Sequence, residues 1–170
     1  MTHHAPVLAA AMAATLFAIS LRPGPWGGLV FIAAYLSLAA LHRAPSRASS
    51  TWSAFLVALG PFSVAFTPLA PVSVAAAALA SALLAAVWTL VAHVAIHAHG
   101  SRWRVAVSVS SAWLGLEYLA GHPQVLGPLA LPFVSVGSAL ADGGLRTMAA
   151  ILGPLGLTTL VWFVAGVAYV

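Results

Sequence analysis

Apolar residues fill this chain in long runs, separated by short clusters of Pro, Gly, Ser and Arg. The runs cover 7–21, 26–41, 51–66, 72–97, 105–119 and 148–170, and their lengths bracket the roughly 20 residues that carry a helix across a bilayer. They predict an all-α protein: a polytopic transmembrane helix bundle of about six spans in one domain over 1–170. The first run is followed by Arg22-Pro23-Gly24-Pro25, which breaks the helix and leaves Trp26 where an interfacial aromatic sits. A cleaved signal peptide is the competing reading of that run, although its amino-terminal flank lacks the usual positive charge. After the second run, His42, Arg43 and Arg47 lie in HRAPSRASS, which has no apolar periodicity and reads as a solvated loop. Gly60-Pro61 is expected to kink the third helix without ending it, since apolar residues continue on both sides. The fourth run is dense in Ala and Ser, small residues that let helices approach closely in lipid.

The stretch 125–140 breaks this pattern. It is mostly apolar, yet Gly127, Pro128, Pro132 and Gly137 interrupt it too often for an ordinary span. It fits a re-entrant or interface-lying segment, whose free backbone groups need partners in protein or in a water-lined cavity. A short kinked seventh span is the alternative, and it would place Arg146 on the cytoplasmic side.

Composition changes the picture only by making it firmer. Apolar residues are 62% of the chain and charged residues 5%, with a mean hydropathy of +1.06, whereas soluble domains carry roughly 25% charged residues. The chain is an integral membrane protein by composition. Cys is absent, which excludes disulfides, thiolate metal sites and a cysteine nucleophile on these residues. The six cations are all Arg, set against Glu117 and Asp142. Scattered among short loops, they form no stripe for nucleic acid. Arg43, Arg47, Arg102 and Arg104 follow the second and fourth runs, so the positive-inside rule puts the amino terminus in the cytoplasm. The segment after the fifth run then lies on the outer side.

Few side chains carry candidate chemistry. His93 and His97 are four residues apart on one helix face, a spacing that suits zinc or haem. No acidic residue or Cys is near to complete a metal site, and histidines at a helix carboxyl end are also favoured by the helix dipole. Glu117 stands inside an apolar run, with Trp113 four residues earlier on the same face. An intramembrane carboxylate marks a functional site by default, against the plainer reading of an interfacial Glu that snorkels or is hydrogen bonded. Its partner has to come from another helix, the outer segment or a lipid headgroup.

Trp113-x3-Glu117, then Leu131-Pro132-Phe133 with Gly137 four residues on, then Gly153-Pro154-Leu155-Gly156 opening a helix, resembles the membrane domain of bacterial apolipoprotein N-acyltransferase. The resemblance covers nearly the whole chain. It implies a bacterial inner-membrane location, a lipid-admitting bundle, and acyl transfer from a phospholipid to a lipoprotein amino group at the outer face. It also implies a nitrilase-like catalytic domain with Cys, Glu and Lys, whereas this chain has neither Cys nor Lys. Ala120 stands where the family usually has Arg, Phe133 where it has Trp, and Ser138 where an aromatic is common. The expectation is a chain that is non-catalytic by itself. It would bind lipid or a separate catalytic chain through Trp113, Glu117, Pro132, Phe133, Gly137, Gly153 and Gly156, with no cofactor beyond a bound phospholipid. The alternative is a small scaffold subunit packed among other membrane proteins. A transporter is disfavoured by the single acidic group near the membrane and the lack of repeated broken helices.

Overall fold

The computed structural model describes residues 5–22, 25–97, 101–122, 124, 135–141 and 146–170, with side chains for all of these except 94–97 and 141. Among them there are only helices and turns: α1 (Ala5–Ser20), α2 (Leu29–His42), α3 (Arg47–Ala65), α4 (Val74–His97), α5 (Arg102–Gly121), the single turn α6 (Ser138–Ala141) and α7 (Arg146–Tyr169). Short 3-10 turns at Pro25–Gly28 and Thr67–Leu69 lead into α2 and follow α3.

All six long helices match an apolar run, and the differences lie at their ends. The Ser/Pro segment read as loop up to residue 50 is shorter, because Ser46 is an N-cap. Its backbone is extended and its Oγ accepts a hydrogen bond from the Ser49 N–H at 3.2 Å, so α3 starts at Arg47. Ser101 likewise caps α5, accepting from the Arg104 N–H at 3.4 Å. This draws Arg102, Trp103 and Arg104 into the first helical turn. Pro61 lies inside α3 without ending it. Among the described residues, four helical stretches are long and apolar enough to cross a bilayer by length and composition: Pro25–His42, Arg47–Ala65, Val74–His93 and Arg146–Tyr169. The expected six spans are therefore loose as a count. α1 has 16 residues, and α5 carries Arg102, Arg104 and Glu117 within 20.

Contacts at matching ends give the helices alternating directions. At one end the ring nitrogen Nδ1 of His42, closing α2, hydrogen-bonds the Tyr169 hydroxyl, closing α7. Near the same end, Thr51 at the start of α3 meets His93 late in α4. At the other end, Gly27 abuts Ala139 of α6. These are called the Arg end and the Glu117 end below.

Small residues set the packing distances. A Cβ on Gly60 would lie 2.2 Å from the Ala14 carbonyl oxygen, so α1 and α3 touch through their backbones, as small-residue interfaces allow. The core of the bundle combines alanines from α1, α2 and α3 with the buried rings Phe17, Phe62, Trp88, Trp113 and Trp162. Leu79, Leu83 and Leu90 of α4 remain exposed.

Candidate functional site

Trp113 occupies the middle of an aromatic cage built from four other helices. Its ring stacks on Phe17 of α1 at 5.9 Å and on Phe62 of α3 at 6.2 Å. It meets Trp88 of α4 edge-on at 4.7 Å and Trp162 of α7 at 5.7 Å. Offset and edge-to-face aromatic pairs add about 0.5–1.5 kcal/mol each beyond their burial, so Trp113 ties five helices together at one point. Its indole N–H is not spent on water. It donates to Glu117 Oε1 at 2.7 Å, one turn along the same face.

Glu117 is buried at 6% exposure and receives three further bonds. The Val136 backbone N–H donates to Oε1 at 2.6 Å, the Ser135 hydroxyl to Oε2 at 3.1 Å, and the Thr158 hydroxyl to Oε2 at 2.7 Å. Each partner is a donor, matching a carboxylate that accepts on both oxygens. Burying a charged group is costly unless it is hydrogen bonded, and four bonds to an anionic acceptor offset that cost. The Ser135 and Thr158 hydroxyls stand 3.2 Å apart, but each spends its one proton on Glu117. Thr158 Oγ1 in turn accepts from the Gly137 N–H at 2.7 Å.

The carboxylate is thus a clamp joining α5 to residues 135–137 and to α7. Glu117 is hydrogen bonded and buried rather than snorkelling. Ala120 stands where the resemblance expects Arg, and the carboxylate is bonded by two hydroxyls, an indole N–H and a backbone N–H.

Two glycines of the motif explain why the clamp closes. α7 covers nearly all of the run 148–170, with a break at the Gly153-Pro154-Leu155-Gly156 motif that the sequence places at a helix opening. Gly153 has φ 68° and ψ 174°, so α7 is two helical pieces meeting at a break. Only Gly adopts that conformation readily, and Pro154, fixed in φ and lacking an N–H, then suits the first turn of the second piece. Gly137 packs against the backbone of the first turn after the break. A Cβ there would lie 2.0 Å from the Pro154 carbonyl oxygen and 2.6 Å from the Thr158 nitrogen. Gly156 faces Leu152 across the break, where a Cβ would approach the Leu152 Cβ to 2.8 Å.

The structure therefore brings Trp113, Glu117, Gly137, Gly153 and Gly156 into one neighbourhood. Pro132 and Phe133 lie outside the described residues, as does most of the 125–140 segment. Ser135, Thr158 and the four cage rings were missed in the sequence. A lone Thr or Ser in an apolar run resembles many others that merely bond their own helix, as Ser37 and Thr89 do, so no local signal singles out Thr158.

Beside the clamp lies a cavity of about 210 Å³, lined by Leu21, Pro61, Val64, Pro68, Trp113 and Ser135 among others. His93 stands near the opposite end, with Nδ1 3.4 Å from Thr51 Oγ1, and the His97 side chain lies outside the described residues. Among the described residues no three His, Cys, Asp or Glu side chains come together.

Residues 13–167 match the family model described as apolipoprotein N-acyltransferase N-terminal domain. No curated protein matches the chain.

Proposed function

The chain belongs to the apolipoprotein N-acyltransferase N-terminal domain family, and from that membership we propose that it is a lipid-admitting membrane domain. Lipid enters at the Glu117 end, and the groups that perform acyl transfer reside on another polypeptide segment or chain. The cavity of about 210 Å³ carries this reading. It is walled by α1, α3 and α5, mostly with apolar side chains, and Ser135 and Val136 of its lining are held by the carboxylate clamp. A rigid apolar slot at bilayer height supplies what a reaction between two lipids needs most, namely a fixed position for the reacting chain. In this reading Glu117 has no acid–base role. Its four bonds hold the rim in shape, and the buried Trp113 ring closes the inner wall of the slot.

Four exposed Arg residues gathered toward the other end support a bacterial inner-membrane orientation with the amino terminus in the cytoplasm. The Glu117 end then faces outward.

Extraction from native membrane in polymer nanodiscs, followed by native mass spectrometry, tests the reading. Retained phospholipid is expected, and Val64→Phe, which fills the cavity, should reduce it while the thermal transition stays in place. A stoichiometric protein subunit with no lipid in the cavity would instead establish the scaffold role, for which the exposed face of α4 is suited.

A further inference from the structure

We propose that the Arg end carries a second, separate site that holds an anionic phospholipid, its phosphate on Arg43 and Arg102, with Arg104 flanking the mouth on the other side of Trp103, and one acyl chain in the groove between α5 and α7. The site lies at the opposite end of the bundle from Glu117 and belongs to the other leaflet.

Arg43 leaves the end of α2 and Arg102 begins α5, yet both lie near enough to act electrostatically on His42 and on Tyr169. The hydrogen bond between those two residues pins the end of α2 to the end of α7, which fixes the spacing of cations contributed by different helices. Arg43, Arg102 and Arg104 are exposed. Among the described residues the acidic side chain, Glu117, is hydrogen bonded at the far end and pairs with none of them. A lipid phosphate meets this need for a counter-charge, as anionic headgroups do for cations at a membrane surface.

The groove argues for a lipid over a free anion. It has a volume of about 170 Å³ and is lined by Trp103, Ala106, Ser110, Leu114, Trp162 and Gly166 among others. Trp103, half-exposed between the two Arg residues, stands at its mouth, where interfacial aromatics mark the headgroup level. Its floor is shallow because Gly166 sits against Ala106, where an added Cβ would be 3.7 Å from the Ala106 Cβ. From Trp103 to Leu114, α5 rises about 16 Å, close to half of the roughly 30 Å hydrocarbon core. The groove therefore has the length of one acyl chain in one leaflet, beginning directly beneath the cations. Its volume is small against a helix roughly 10–12 Å across, which favours a hydrocarbon chain over a partner helix.

The experiment places the protein in phosphatidylcholine nanodiscs and titrates in phosphatidylglycerol, counting retained lipids by native mass spectrometry. The protein should retain phosphatidylglycerol roughly tenfold over phosphatidylcholine, and the double variant R102Q/R104Q should lose that preference. Ser111→Phe, placed on the exposed wall of the groove, should weaken retention with the Arg residues intact; Val107→Phe serves if that variant fails to fold. Inorganic phosphate at millimolar concentration should not displace the lipid. Equal retention of the two lipids, an unchanged preference in R102Q/R104Q, displacement by inorganic phosphate, or an acidic protein subunit found shielding Trp103 would each overturn the proposal. Val64→Phe should leave this preference unchanged, so the two lipid sites succeed or fail separately.

Discussion

The two ends of the bundle handle charge in opposite ways. At one end a single carboxylate is buried and receives four hydrogen bonds from α5, α7 and residues 135–136. At the other, Arg43, Arg47, Arg102 and Arg104 are exposed. A buried charge must be satisfied from within, so Glu117 reports on how the fold is assembled. Exposed cations at the membrane surface draw their partners from outside, so the Arg end reports on what the protein meets. An intramembrane carboxylate invites a catalytic reading, and here its surroundings assign it a structural task.

Breaking the clamp should have the largest effect. Glu117→Leu removes both acceptor oxygens, leaving buried N–H and O–H groups unpaired at about 1–3 kcal/mol each. A loss of about 2–4 kcal/mol is expected in equilibrium unfolding in mixed micelles. A transition unchanged from the parent protein would show that the four bonds do not hold this end together.

Gly137→Ala should come next, at about 2–3 kcal/mol, because its Cβ would drive into the backbone of the α7 break. Gly115→Ala supplies the contrast of sign. Gly115 lies inside α5 with no atom within 4 Å of an added Cβ, so the substitution should stabilise by up to about 1 kcal/mol through helix propensity. Equal effects from the two would mean that residue 137 is not seated on the break.

The smallest effect belongs to the Arg end. Tyr169→Phe removes the bond to His42 and should cost about 0.5–1.5 kcal/mol. Its informative readout is the phosphatidylglycerol preference, which should fall as the end of α2 comes loose from α7. A preference untouched by this change would show that the Arg residues act without being held by that contact.

Much of this protein is legible in its sequence. The six long helices follow from apolar runs because lipid leaves backbone groups no partner outside the helix. Trp113 and Glu117 share a face because they are one turn apart, a purely local fact. The Gly137 and Gly153-Pro154-Leu155-Gly156 positions stand out as glycines placed with purpose. What each glycine does is another matter. The positive φ at Gly153 belongs to the break in α7, and the sequence marks only that the motif opens a helix within a run that stays apolar on both sides.

Composition and periodicity thus determined the class, the number of long helices and the polar residues out of place within them. Only the tertiary structure decided what satisfies Glu117, because its donors Ser135, Val136 and Thr158 lie 18 to 41 residues away along the chain, and hydrogen bonds over such separations depend on which helices pack together. The same holds for the aromatic cage, drawn from five helices, and for the placing of both Arg43 and Arg102 within electrostatic reach of His42 and Tyr169. Local pattern records which face of a helix is apolar; which neighbour covers that face is settled by packing, where a glycine in contact with a backbone carbonyl counts for more than any propensity.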